Sequence, residues 1–140
     1  MQDMDTRIYY QDKEGAIHER VGKGPATGGH KYSDNIRVPA NKVRANTPMA
    51  VCGWGNHFAH IRLYYVDRDG YIREECWDGG WTAGGLDAKK YRVSSTSGFM
   101  YALCTEKGGD PRVGFQASDN PQHVTEAFYN GGWSAAVLMN

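Results

Sequence analysis

No stretch of this chain keeps an i, i+3, i+4, i+7 apolar pattern over three turns, which disfavours a helical bundle. Short runs rich in aromatic and branched residues alternate instead with Asp- and Gly-containing turns, the pattern of strands joined by tight connections. Residues 7–12 predict a strand, Asp12-Lys13-Glu14-Gly15 a turn and residues 16–21 the return strand. Residues 61–67, Asp67-Arg68-Asp69-Gly70 and residues 71–77 predict the same hairpin again. Gly at the fourth turn position suits a type I turn closed by a residue at positive φ. That register sets Asp67 opposite Tyr71 and Tyr64 opposite Glu74. Arg62 and Glu74 then share a face as diagonal neighbours, roughly 7–8 Å apart, and Arg7 and Glu19 do likewise. A further strand is expected near Trp81, and another in each apolar run at 48–55 and 98–104.

The hairpins belong to a repeat. Arg7-Ile8-Tyr9-Tyr10-Gln11-Asp12 recurs as Arg62-Leu63-Tyr64-Tyr65-Val66-Asp67 and, more weakly, as Arg112-Val113-Gly114-Phe115-Gln116. Each run leads to a glutamate: Glu19, Glu74 and Glu126. Glu74-Glu75-Cys76-Trp77-Asp78-Gly79-Gly80-Trp81 also matches Glu126-Ala127-Phe128-Tyr129-Asn130-Gly131-Gly132-Trp133. The expected organisation is one domain, 1–140, of repeats at roughly 6–47, 48–97 and 98–140. Four antiparallel strands in about 50 residues is the size of a propeller blade, and propellers need about four blades or more to close. The fold class is therefore all-β, with three propeller-type repeats per chain. A homo-oligomer is expected, two three-unit chains giving six blades.

Composition narrows the partners. The 140 residues hold 16 Lys plus Arg against 16 Asp plus Glu, for a formal net charge of zero. A nucleic-acid binder relying on phosphate contacts carries a basic excess, so no nucleic-acid partner is expected. No apolar run approaches a bilayer span, so membrane insertion is not expected either. MQDMDTR lacks the basic head and apolar stretch of a secretory signal. The expected location is the cytoplasm, or outside the cell by a route without a classical signal peptide. Cys52, Cys76 and Cys104 are odd in number and form no C-x-x-C pair, so they are expected to be reduced and buried, with no zinc site. His57 and His60 share an H-x-x-H spacing with no third ligand nearby and are assigned to the surface. No cofactor is implied.

Ile61-Arg62-Leu63-Tyr64-Tyr65, Ile72-Arg73-Glu74, Cys76-Trp77-Asp78-Gly79-Gly80-Trp81 and Gly84-Gly85-Leu86 resemble the blade motif of fucose-binding lectins of the orange-peel-fungus (Aleuria) type and their short bacterial relatives. The resemblance is strong over 60–86, fair over 6–29 and partial over 111–138. It implies a six-bladed β-propeller, formed by one chain or by several short ones, with a sugar between adjacent blades. One blade supplies Arg and Glu, the next two aromatic residues, and a backbone N–H completes the set. Carried over, one site uses Arg7 and Glu19 with Trp77 and Trp81, and a second uses Arg62 and Glu74 with Tyr129 and Trp133. The backbone donors fall near Gly29 and Gly85. Gly22 and Pro25 stand where the first unit's aromatics belong, so a site made by Arg112 and Glu126 with another chain's first unit is expected to lack its stacking wall and not to bind. The first unit also lacks a preceding apolar strand, and 30–46 reads as a long polar connection.

The residue chemistry suits that ligand independently. Fucose offers a C5 methyl and ring C–H patch for an indole or phenol wall. Its hydroxyls suit Arg as donor and Glu as acceptor through charge-assisted hydrogen bonds. The expected partners are L-fucose and fucosylated glycans, bound without catalysis or metal. Two alternatives stay open. One is a structural or interaction propeller whose Arg–Glu pairs are plain cross-strand ion pairs. The other is a glycoside hydrolase, which needs two carboxylates flanking one bond, whereas each unit offers one Glu, with its pKa expected to be lowered by Arg. Trp54 and the tyrosines 9, 10, 64 and 65 are assigned to packing.

Overall fold

A computed structural model describes residues 5–139. Eleven strands form three antiparallel sheets in chain order. The first sheet holds β1 (Thr6–Gln11), β2 (Ile17–Gly22) and β3 (Ser33–Val38). The second holds β4 (Met49–Trp54), β5 (His60–Val66), β6 (Ile72–Trp77) and β7 (Trp81–Ala83). The third holds β8 (Met100–Thr105), β9 (Gly109–Ala117), β10 (Asn120–Tyr129) and β11 (Trp133–Val137). Only the second and third sheets have the expected four strands. β1 is the edge of the first.

The turn chemistry sets the hairpins. Gly15 and Gly70 have φ of 107° and 90°, a region open to glycine at little cost. The Asp12 and Asp67 carboxylates accept backbone N–H groups at the return of each turn. Tyr9 therefore faces Glu19, and Tyr64 faces Glu74.

The core lies between sheets. Ile17, Val38, Val43, Leu63 and Tyr65 join the first sheet to the second. Tyr64, Leu86, Val113, Phe115, Ala127 and Trp133 join the second to the third. Full burial of a side chain such as Leu63 is worth about 2 kcal/mol. Because side chains alternate along a strand, each sheet gives one face to each neighbour. Among the described residues, the outer faces of the first and third sheets therefore have no neighbouring sheet.

Two expectations need correction here. The stretch 30–46 is not only a connection, because β3 runs through it as the outer strand of the first sheet. Its hydrogen bonds satisfy β2, an edge that would otherwise stay open. Of the cysteines, all free, only Cys76 is buried. Cys52 and Cys104 stand half-buried on the innermost strands β4 and β8.

Candidate functional site

A crevice lies between the second and third sheets. Alternation along β5 turns Arg62 and Tyr64 toward the third sheet, and pairing places Glu74 across from Tyr64. Glu74 is only 3% exposed. The Tyr64 hydroxyl donates to its Oε2 at 2.8 Å, and the Leu86 N–H approaches Oε1 at 3.4 Å. The Gly84 N–H donates to the Glu74 carbonyl at 2.8 Å, while the Glu74 N–H donates to Asp87 Oδ1 at 2.8 Å. The short 3₁₀ turn Gly85–Lys89 thus lies against the glutamate.

Arg62 does not hold Glu74 directly. Its guanidinium donates to both Asp78 oxygens, at 3.0 and 3.2 Å, and lies 4.8 Å from the centre of the Trp54 ring. The expected lowering of the glutamate pKa is therefore reversed at Glu74. Burial raises it, and the hydrogen bonds from Tyr64 and Leu86 and the charge of Arg62 only partly oppose that rise. Trp54 is half-buried and lines the crevice instead of entering the core.

The third sheet supplies the facing wall. Trp133 meets the Tyr64 ring edge-on at 6.3 Å, and Tyr129 lies tilted at 5.6 Å from Trp133. Tyr129 is 41% exposed and lines the crevice. A Cβ on Gly85 would come within 3.9 Å of Trp133, which places the glycine at the base of this wall. Arg62, Glu74, Gly85, Tyr129 and Trp133 thus line one cavity of about 290 Å³, with Trp54 and Asp110 beside them. That is close to the lower limit for ligand pockets, about 300 Å³, and suits one sugar ring.

The crevice between the first and second sheets is built differently. The Tyr9 hydroxyl donates to Glu19 Oε2 at 2.6 Å, as Tyr64 does to Glu74. Trp81 meets Tyr9 edge-on at 6.4 Å and lies 5.7 Å from Trp77. Arg7, however, lines a smaller cavity of about 190 Å³ with Tyr9, Cys52 and Phe58, and its guanidinium lies 5.5 Å from the Phe58 ring centre. Glu19, Trp77 and Trp81 do not line that cavity. Gly29 does not match Gly85. It ends a 3₁₀ turn at φ 76°, and its N–H donates to the Ala26 carbonyl at 3.2 Å. Pairing sets Asn35 opposite Glu19, so the stretch matching Gly84–Leu86 is Asn35–Arg37. Arg37 falls at a β-bulge in β3, and its guanidinium covers Trp81 at 4.5 Å. Its Nε is buried with no hydrogen-bond partner.

Two further aromatics escape the repeat alignment. Tyr32 follows a turn longer than that before Trp81, so alignment by spacing misses it. The β2–β3 pairing Val21–Ser33 continues to Gly22 and Tyr32, as Trp77 pairs with Trp81 and Tyr129 with Trp133. A Cβ on Gly22 would lie 2.6 Å from the Tyr32 ring, so Gly22 is small because that ring covers it. The first unit therefore has an aromatic wall. In the third sheet Gly114 replaces the tyrosine at the Tyr64 position, and the Tyr101 ring fills its place from β8. The Tyr101 hydroxyl donates to Glu126 Oε2 at 2.5 Å, and Arg112 donates to both oxygens of Glu126, at 2.9 and 3.0 Å. The hydrogen bonds from Arg112 hold the Glu126 carboxyl below its usual pKa.

Among the described residues no cluster of three His, Cys, Asp or Glu is arranged to hold a metal ion. Comparisons with known proteins agree in direction. The family model described as fungal fucose-specific lectin matches residues 2–138. The fucose-specific lectin of Aleuria aurantia is 31% identical over 134 residues, covering 93% of this chain and 38% of that protein. A variant of the Aleuria aurantia lectin solved with α-methyl-L-fucoside superposes with a TM-score of 0.73 at 25% identity, covering 94% of this chain and 44% of that one. A fucose lectin from Kordia zhangzhouensis, solved with methyl-fucoside, shares the fold at a TM-score of 0.65 and 22% identity, covering 96% of this chain and 90% of that one. The chain thus spans less than half the length of the curated relative from Aleuria aurantia.

Proposed function

Because this chain belongs to the fungal fucose-specific lectin family, we propose that it is a non-catalytic lectin for L-fucose and fucosylated glycans. The observation that carries this function is the cavity where Arg62 and Glu74 from one sheet face Tyr129 and Trp133 from the next. Arg62 donates to sugar hydroxyls and Glu74 accepts from one, each through a charge-assisted bond. The Trp133 and Tyr129 rings cover the apolar C–H and methyl patch. Gly85 keeps the floor open for the ring. Arg7, Glu19, Trp77 and Trp81, with Asn35–Arg37 in place of Gly29 beside the glutamate, form a second site only when Arg7 leaves the Phe58 ring and Arg37 leaves the Trp81 ring.

The arrangement supports binding over hydrolysis. Tyr64 and the Leu86 N–H hold the Glu74 carboxylate as a fixed acceptor, and hydrolysis would need a second carboxylate placed across the scissile bond. Three sheets also leave two unpaired faces. Two copies, each offering its first sheet to the other's third, would complete a ring of six. The test is calorimetric titration with L-fucose on protein of known solution mass. Binding that Arg62→Ala and Trp133→Ala each weaken at least tenfold, with folding intact, is expected. A folded protein that binds no fucose would overturn the function.

A further inference from the structure

We propose that Cys52 and Cys104 form an oxidisable dithiol that staples the second sheet to the third and controls the sugar crevice between them. The disulfide stands on the thiol geometry alone, and its effect on binding rests on the fucose-binding function proposed above. Strand register brings the two thiols together. Cys52 pairs with Arg62 across β4 and β5, so its side chain shares the face that Arg62 turns to the third sheet. In the third sheet Leu103, not Cys104, pairs with Arg112. A slip of one residue reverses the face a side chain takes, so Cys104 points back toward the second sheet. It shares that face with Met100 and Ala102, which pack beside Cys52 in the core between the two sheets. The Cys104 thiol donates to the Gly53 carbonyl at 3.4 Å, one residue from Cys52. The Cys52 thiol feels this neighbour directly, since burial first and Cys104 second raise its pKa.

β4 and β8 pack side by side but belong to different sheets, so no strand pairing joins them. A disulfide there adds a covalent link where the fold has only packing. Cys76, the remaining cysteine, is no rival partner. It pairs with Arg62 from β6 and so stands two strand spacings from Cys52, about 10 Å. A disulfide spans Cα atoms up to roughly 7 Å apart.

The oxidant is hydrogen peroxide. Burial keeps Cys52 a thiol, so the first attack falls to Cys104. Its sulfur attacks the peroxide, the O–O bond breaks, and a sulfenic acid forms with release of one water. The Cys52 sulfur then bonds to the Cys104 sulfur, and the displaced hydroxide leaves as a second water with the Cys52 proton. Two thiols and one peroxide thus give one disulfide and two waters. The S–S bond is shorter than the contact between two thiols, so it draws β4 toward β8 at the inner end of the crevice. Arg62 is tied to Cys52 by strand pairing and moves with it. The crevice holds only about 290 Å³, so narrowing it weakens sugar binding.

The experiment treats the full chain with one equivalent of hydrogen peroxide or with dithiothreitol. Intact mass, peptide mapping, thermal unfolding and titration with α-methyl-L-fucoside follow. The oxidised chain is expected to lose two hydrogens and to yield a linked Cys52–Cys104 peptide. Its Tm should rise by about 5 °C or more, and its sugar affinity should fall by about threefold or more. Dithiothreitol should reverse all of these changes. Cys104→Ser should bind sugar as the reduced chain does and keep that affinity after peroxide, which separates the disulfide from general oxidative damage. Two free thiols after peroxide, or a link through Cys76, would overturn the pair. A Cys52–Cys104 disulfide with unchanged or tighter sugar binding would overturn the control of the crevice. A reduced chain that binds no fucoside would overturn the fucose function, while the linked peptide would still decide the pair.

Discussion

Gly84 lies so close to Glu74 that a methyl group on its Cα would overlap the carboxylate carbon and Oε1. Its φ of −91° suits any residue, so the glycine is needed for space and not for backbone freedom. Gly84→Ala should therefore leave the fold in place but swing Glu74 away from the Tyr64 hydroxyl. The expected result is at least tenfold weaker fucose binding in the crevice between the second and third sheets, with an unchanged circular dichroism spectrum. Unchanged affinity would mean that the carboxylate position is not used.

Tyr64→Phe separates the hydroxyl from the ring. The ring stays to pack edge-on against Trp133, but Glu74, 3% exposed, loses the donor on Oε2 and keeps only the longer contact from the Leu86 N–H on Oε1. Leaving a buried acceptor short of a partner costs about 1–3 kcal/mol. Chemical denaturation should show that loss, and titration should show weaker sugar binding. The matching Tyr9→Phe change should act through Glu19 and spare the crevice between the second and third sheets. A stability change near zero for Tyr64→Phe would mean that Glu74 finds its partners elsewhere.

The pH dependence follows from burial. Burial raises the pKa of Glu74, so the folded state takes up a proton there more readily than the unfolded chain does. The sign is that Glu74 favours folding most at acid pH and loses that contribution as pH rises through its folded pKa. Sugar binding runs the other way, since the charged carboxylate is the stronger acceptor. Affinity at the Glu74 crevice should fall as pH drops from neutral toward about 4, the ordinary glutamate range. It should start to fall before any site built on Glu126, whose carboxyl is lowered by Arg112. Titrations with α-methyl-L-fucoside across this range, with Glu74→Gln as control, would show it. A flat profile above the ordinary glutamate pKa contradicts the prediction.

Much of the crevice between the second and third sheets was legible in the sequence. Turn glycines at fixed offsets determine the hairpin register, and register alone puts Tyr64 opposite Glu74 and Arg62 on the same face. The tail Gly-Gly-Trp marks the facing wall. What spacing could not show were replacements made from another strand. Tyr32 comes after a longer turn, and Tyr101 reaches Gly114 from β8, so neither lines up with the residue whose space it fills. A glycine where the repeat calls for an aromatic was the available signal, because something must cover it. Gly29 was misplaced for the same reason: the longer turn moves the chain that lies beside Glu19 on to Asn35–Arg37. Trp54 read as core because it ends an apolar strand, yet the Arg62 guanidinium keeps it at the crevice.

Arg62 and Arg112 occupy equivalent positions but hold opposite poses, and their outer neighbours account for the difference. Asp78 takes both guanidinium nitrogens of Arg62 and Trp54 carries its face, which leaves the Glu74 carboxylate to the ligand. Asn130 and Thr105 offer Arg112 no such hold, and it closes onto Glu126. Asp78→Asn removes one of these two holds on Arg62 and leaves Trp54 in place. The Arg62–Asp78 pair lies at the surface on the Asp78 side, where such pairs are worth about 0–1 kcal/mol, so thermal unfolding should barely move. Fucose affinity in the crevice between the second and third sheets should drop several-fold, because the sugar must then displace Arg62 from Glu74. The reverse change, Asn130→Asp, should draw Arg112 outward, release Glu126 from its ion pair and move the Glu126 pKa upward, which carboxyl-resolved NMR titration would report. If Asp78→Asn leaves affinity unchanged, the pose of Arg62 does not depend on its outer acid.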